Sequence, residues 1–221
     1  MRRHIAALGL LLPLLATQGQ AGAGEPPPPQ STLKPDEGAA CGGKPLHFQL
    51  ADVRGRLYSG VASVSRRPIV LAYYSGYKSA PVHEGLRDQL LRDPQLGTGG
   101  ALRDTWAGFA IVDYKEGWFV PGWAVDKALR EKMAKYPGAI FLADRGECLT
   151  QSGTSNKCPG KDRRPYFRSN QGSVAVLYHG LILHQLAGPT SAAGFLGKLR
   201  RLAEQARAEA SFCQAKQAVA W

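Results

Sequence analysis

The amino-acid sequence predicts an α/β domain: a three-layer fold with a mixed central sheet and helices on both faces. Three observations carry this. Short apolar runs rich in β-branched and aromatic residues recur at Ile69-Val70-Leu71-Ala72-Tyr73, Phe109-Ala110-Ile111-Val112 and Ala139-Ile140-Phe141-Leu142. Such runs read as buried strands of a parallel sheet. Helix-period segments lie between them, giving strand–helix–strand units whose crossovers are right-handed. Last, Val174-Ala175-Val176-Leu177 and Leu181-Ile182-Leu183 flank Tyr178-His179-Gly180, which reads as an antiparallel hairpin at the edge of the sheet.

The chain opens with Arg2 and Arg3, an apolar stretch from Ile5 to Ala16 and the small residues Ala21-Gly22-Ala23. This is the pattern of a cleaved export signal, residues 1–23, and the apolar run is too short to span a membrane. Residues 24–43 contain Pro26 to Pro29 and Pro35 and read as a proline-rich linker. Residues 44–213 read as the domain and 214–221 as a C-terminal tail.

Within the domain, Leu46, Phe48 and Leu50 alternate with polar residues as a strand does, and Leu57 begins a return strand after a turn at Asp52 to Arg56. The central strand follows, then the tight segment Ser75-Gly76-Tyr77-Lys78. Ser79 is the expected N-cap of the next helix and Pro81 lies in its first turn. Val82, Leu86 and Leu90 give that helix one apolar face. Residues 95–104 are glycine-rich and read as loop. After the second strand comes an aromatic loop, Tyr114 to Trp123. A helix follows with Val125, Leu129, Met133 and Tyr136 on one side, stopped by Pro137-Gly138. Cys148 to Asn170 is an irregular basic insertion. The last helix has Thr190 as its expected N-cap and a buried stripe of Ala192, Phe195, Leu196, Leu199, Leu202, Ala203 and Ala206.

The 221 residues suit one domain with a sizeable core, and 44% hydrophobic content argues against disorder. The formal charge of +11 comes with no nucleic-acid recognition motif, so it is read as solubility and surface potential, with membrane contact at most peripheral. Four cysteines allow three pairings. Export favours paired cysteines over free thiols. Cys148–Cys158 would clip a loop, worth roughly 3 kcal/mol, and Cys41–Cys213 would tie the domain ends, worth about 5. No spacing suits zinc, and no metal or cofactor is expected.

The stretch from Arg67 to Leu86 resembles the centre of the thioredoxin-like superfamily. There the same strand leads into Cys-x-x-Cys at a helix N-terminus, where the dipole activates the thiolate. Registered on Arg67-Pro68 and the strand, the two cysteine positions fall on Lys78 and Pro81. Gly172-Ser173 lies where those enzymes carry a cis-proline, and Ser75-Gly76-Tyr77-Lys78 lacks the cysteine of a peroxiredoxin-like Thr-x-x-Cys. Gly76-Tyr77-Lys78-Ser79-Ala80 is similar to an element of the YtfJ-like family of exported thioredoxin-fold proteins. Phe119-Val120, Tyr136-Pro137, Ile140 to Gly146 and Ser173 to Leu177 with Gly180 are similar to other elements of that family, over about residues 45 to 205. The basic insertion and the four cysteines depart from its pattern. The resemblance implies a periplasmic or secreted domain and names no substrate.

The expected function is therefore binding of an envelope protein or peptide without thiol catalysis. Tyr74, Ser75, Gly76, Tyr77, Lys78, Ser79 and Trp118 form the candidate edge, with Phe119 and Trp123 as further aromatics that could complete it. The competing expectation is a thiol–disulfide oxidoreductase or peroxidase-like protein using Cys148 and Cys158. A structural loop clip is the plainer account of that pair. Five histidines, among them His47, His83, His179 and His184, are scattered and suggest no hydrolase.

Overall fold

The computed structural model describes residues 35–76, 80–115, 119–135, 139–146, 148–149, 166–167, 172–187, 192–219 and 221. The strand at the centre is β4, Ile69–Ser75, and all seven of its residues are buried. It pairs in parallel with β5, Trp106–Asp113, which pairs in parallel with β6, Phe141–Asp144. On its other side β4 meets β7, Ser173–Tyr178, antiparallel, and β7 turns into β8, Leu181–Ala187. Two short pieces complete the eight-stranded sheet. The strand β1, Lys44–Pro45, pairs with β8. The hairpin β2, Gln49–Asp52, and β3, Leu57–Ser59, extends the sheet beyond β6.

This is the mixed α/β plan that the sequence predicts. The closing hairpin differs from the expectation in one respect. β7 is internal, held between β4 and β8, and β8 itself is flanked by β1. Its run of six buried residues reflects this, because a strand covered on both faces and both sides has no polar face to show. The third parallel strand also starts two residues later than its apolar run, at Phe141.

Alternation divides the core. Ile69, Leu71 and Tyr73 face one side, where they pack with Leu86 and Leu90 of α2, Ala80–Arg92, and with Phe195, Leu199 and Leu202 of α4, Ala192–Arg207. Register places Tyr73 beside Ala110. The helix between β5 and β6, α3, Gly122–Lys135, sets Leu129 and Met133 on Ala110, Val112 and Phe141, and so covers the same side. Two successive right-handed crossovers moving in one direction across a sheet require this. The opposite side, bearing Val70, Ala72 and Tyr74, is closed by the β2–β3 hairpin, by a 3-10 turn at Val61–Ser63 and by Leu149 and Phe167. Each large apolar side chain so buried contributes about 1.5–3 kcal/mol.

The chain ends are more ordered than composition suggests. Inside the segment read as linker, Pro35–Ala40 forms the short helix α1. The residues read as a tail belong to α5, Phe212–Ala218, which is capped by Ser211 and Gln214 in a reciprocal capping box. Phe212, Ala215 and Val219 enter the core. Cys41 is bonded to Cys213, with Cα atoms 5.6 Å apart, and the Lys216 ammonium donates to the Cys41 carbonyl at 2.6 Å. The ends therefore fold as part of the domain.

Candidate functional site

The parallel strands β4, β5 and β6 all end at one edge of the sheet, where Ser75 lies level with Val112 and Asp113 with Asp144. Open α/β folds place their sites at this edge. Of the residues expected to form a binding edge, Tyr74, Ser75 and Gly76 are described, and all three are buried. They support the edge from beneath and present no contact surface, because β4 is flanked by strands on both sides and covered on both faces up to its last residue. Tyr77, Lys78, Ser79 and Trp118 lie outside the described residues, as does the expected cap Thr190.

Tyr74 belongs to a buried polar network. Its hydroxyl donates to Oδ2 of Asp144 at 3.2 Å. The Cys148 N–H donates to Oδ1 of the same carboxylate at 2.8 Å and the Leu149 N–H to Oδ2 at 3.1 Å. The Tyr74 ring stacks on Phe167, centroids 4.8 Å apart and 10° from parallel. The N–H groups of Tyr166 and Phe167 both donate to the Leu149 carbonyl, so the segments after β6 and before β7 are stitched together above Tyr74. Asp144 is completely buried. Burial pushes its carboxyl up; the N–H donors of Cys148 and Leu149 and the Tyr74 hydroxyl pull against this without cancelling it.

On the other face, beneath α2, Tyr73 has its phenol pushed well above the ordinary range by burial, opposed by the charge of Arg87. The Ser75 Oγ and the Arg87 Nη1 are buried, as is the Ser173 Oγ, and none has a hydrogen-bond partner among the described residues. Ser173 sits directly across from Tyr74. It follows Gly172, whose φ of 61° lies in the left-handed region. Proline holds φ near −65°. The backbone here therefore has a shape that proline cannot take.

The β5–α3 connection forms a second cluster at the same edge. Asp126 accepts from the Tyr114 hydroxyl and pairs with the Arg145 guanidinium, which lies 4.4 Å over the Tyr114 ring. Burial works to raise the Asp126 carboxyl, but the bonds from Tyr114 and Arg145 win and hold it below the usual carboxylate range. Beside this cluster Phe119 is 50% exposed and Trp123 71%. Both read from the sequence, with Trp118, as residues that could complete the binding edge, on the strength of their place in an aromatic loop at a strand's carboxyl end.

Cys148 is disulfide-bonded, and its expected partner Cys158 lies outside the described residues, with the rest of the basic insertion up to Arg164. Cys148 follows β6, two strands from β4, and its neighbour Leu149 packs on the face opposite α2. The Cys41–Cys213 bond is at the far end of the sheet: β1 pairs with Leu181 and Ile182 beside the hairpin turn, level with Ile69 at the start of β4. Among the described residues no cluster of histidine, cysteine or acidic side chains could hold a metal, and no helix is long and apolar enough to cross a membrane.

No family model matches the chain, and no curated protein does. Solved structures are similar to it at low identity. One is a thiol-disulfide oxidoreductase from Bacteroides fragilis, 15% identical over 72% of this chain and 99% of the other, with a TM-score of 0.45. A second is a hypothetical protein from Sinorhizobium meliloti, 15% identical over 77% and 86%, TM-score 0.47. A third is the pneumococcal exposed lipoprotein thioredoxin Etrx1 from Streptococcus pneumoniae, 14% identical over 70% and 98%, TM-score 0.43.

Proposed function

We propose that this chain is an exported, periplasmic thioredoxin-fold protein of the YtfJ-like kind that binds an envelope protein or peptide and carries out no thiol chemistry. One observation carries the reading: β4 ends at Ser75 on the carboxyl edge and α2 begins at Ala80, and the sequence registration assigns the two cysteine positions of a dithiol to Lys78 and Pro81. The described cysteines are engaged elsewhere, Cys41 with Cys213 at the opposite end of the sheet and Cys148 in a disulfide two strands away. The reactive form of cysteine is the thiolate, and a cysteine held in a disulfide presents none. The partner would meet Tyr77 to Ser79 and Trp118 on one side and the β5–α3 connection on the other.

One observation favours the oxidoreductase reading. The Cys148 N–H is bonded to Asp144, a buried carboxyl with a raised pKa at the same edge. A carboxyl of that kind could take a proton from a thiol. Two measurements on the purified full chain decide. Insulin reduction with a thiol reductant is expected to run at the uncatalysed rate, with Cys148→Ser indistinguishable; turnover that vanishes in Cys148→Ser would establish the oxidoreductase instead. Photo-crosslinking in the envelope from a reactive residue at position 77 is expected to trap a partner, with loss of the adduct in Lys78→Glu.

A further inference from the structure

The outward face of α3 has a composition that neither the core nor the proposed binding edge requires. Trp123, Lys127, Arg130 and Ala134 are all exposed and follow one another at intervals of four, three and four residues, a single stripe along the helix. Leu129 and Met133 on the reverse side hold the helix to the sheet. Phe119, half exposed, precedes the stripe in the connection leading into the helix. Neither Lys127 nor Arg130 makes an ion pair among the described residues. The nearby Asp126 bonds Arg145 and Tyr114 and also feels the charge of Arg130, and Glu131 is the one exposed acid of α3.

We infer that this stripe docks the domain on an anionic lipid bilayer. The geometry suits a bilayer better than a folded partner. The exposed large hydrophobics among the described residues are Leu57, Phe119 and Trp123, whereas a stable protein interface takes about 20–30 residues a side. A convex helix face offers no pocket for a partner's anchor. A headgroup layer needs no shape complement: tryptophan settles at its depth, and lysine and arginine beside it meet lipid phosphates. Phe119 just ahead of α3, Trp123 in its first turn and the exposed cations Lys127 and Arg130 along it supply both contacts. The net positive charge, +11 − 2 = +9 without Arg2 and Arg3 of the expected export signal, adds long-range attraction of the same sign. The association is shallow and reversible, and it does not depend on the reading of the β4–α2 junction.

Co-sedimentation of the full chain with vesicles tests this. Binding is expected to vesicles of phosphatidylcholine mixed with phosphatidylglycerol, weakening with added salt, and not to phosphatidylcholine alone. Lys127→Ala with Arg130→Ala should lower the partition coefficient roughly 30-fold, and Trp123→Ala should weaken it independently. Arg201→Ala, exposed on α4, should leave it nearly unchanged. Because the substituted side chains are exposed, circular dichroism and melting should match the parent. Failure to bind the mixed vesicles would overturn the proposal, and so would binding that survives both the charge and the Trp123 substitutions. Capture of an acidic protein without vesicle binding would overturn it too.

Discussion

The Tyr74 hydroxyl and the Asp144 carboxylate meet at 3.2 Å, joining the end of β4 to the end of β6 across the whole width of β5. The contact is buried on every side, and it ties the strand that leads to the proposed site to the turn that bears Cys148. Tyr74→Phe should remove the donor while keeping the stack on Phe167. The expected loss is about 1–2 kcal/mol of stability in urea unfolding. Tyr74→Leu should cost about 1 kcal/mol more, because it also removes the ring pair. Equal losses in the two variants would mean that the hydroxyl does all the work.

Asp144 should also leave a mark on the pH dependence of stability. Its folded pKa is raised, chiefly by burial, so the folded state keeps a proton that the unfolded chain releases. The contribution is present below the ordinary carboxylate pKa and declines as pH climbs from there through the raised value. Asp144→Asn should flatten that part of the profile, measured as melting temperature from acid to neutral pH. The same variant should lose about 1–2 kcal/mol at acid pH, because an amide cannot accept on both atoms.

His179 acts in the opposite sense. Burial pushes its pKa down to about 4. Between that value and the ordinary one near 6.5 the unfolded chain takes up a proton that the folded protein refuses, so stability falls as pH falls through this window. The ring is partly exposed, so the expected effect is only about 1–2 kcal/mol. His179→Asn should abolish it. Asparagine suits the position because His179 has a φ of 48°, which asparagine tolerates.

The Arg200 guanidinium donates through Nε and Nη2 to one oxygen of Asp93, at 2.9 and 2.7 Å. The other oxygen accepts from the N–H groups of Gln95 and Leu96. Burial alone would raise the Asp93 carboxyl; the Arg200 bonds and the two backbone donors outweigh it and leave the pKa low. Its stabilisation is therefore present above the ordinary carboxylate pKa and lost as pH falls through the folded value. Arg200→Met should cost about 3 kcal/mol at neutral pH by stranding a buried carboxylate. Asp93→Asn in the same chain should recover part of that loss.

The apolar runs at 69–73 and 109–112 were legible because strands covered on both faces have nothing polar to alternate with. The stripe Phe195, Leu199, Leu202, Ala203 of α4 was legible because a helix packed on one side repeats every three or four residues. The internal place of β7 was not, since pairing depends on contacts about a hundred residues apart in sequence, Ile69 with Tyr178 among them. The ordered ends escaped notice for a similar reason. Pro35 and the short run after Phe212 look weak locally and gain order only by packing on each other through Cys41 and Cys213. At the edge, aromatic residues could be counted but not sorted: Tyr74 turned inward and Trp123 outward, and no local pattern separates them.

Gly43 shows how tightly the ends are packed. A Cβ there would sit 2.8 Å from the Gly38 carbonyl oxygen and 2.9 Å from the Phe212 ring. Backbone cannot yield as a flexible side chain does. Gly43→Ala should cost about 1–3 kcal/mol in urea unfolding. Gly55→Ala provides the comparison: nothing lies within 4 Å of its Cβ position, and its φ of 85° leaves conformational strain as the sole source of loss.

The Cys41–Cys213 bond joins residues 172 apart in sequence. By loop-closure entropy such a bond should stabilise the domain by about 5 kcal/mol. It holds α1 against α5, and α5 in turn places Val219 in the core beside α4. Replacing both cysteines with serine should therefore do more than lower the melting temperature. It should expose the 35–45 and 208–221 segments to limited proteolysis while the β4–β5–β7 centre stays resistant, since only the ends depend on the link. Mass spectrometry of the fragments reads this directly. Cleavage spread evenly over the chain would mean that the bond stabilises the fold as a whole and has no particular hold on its ends.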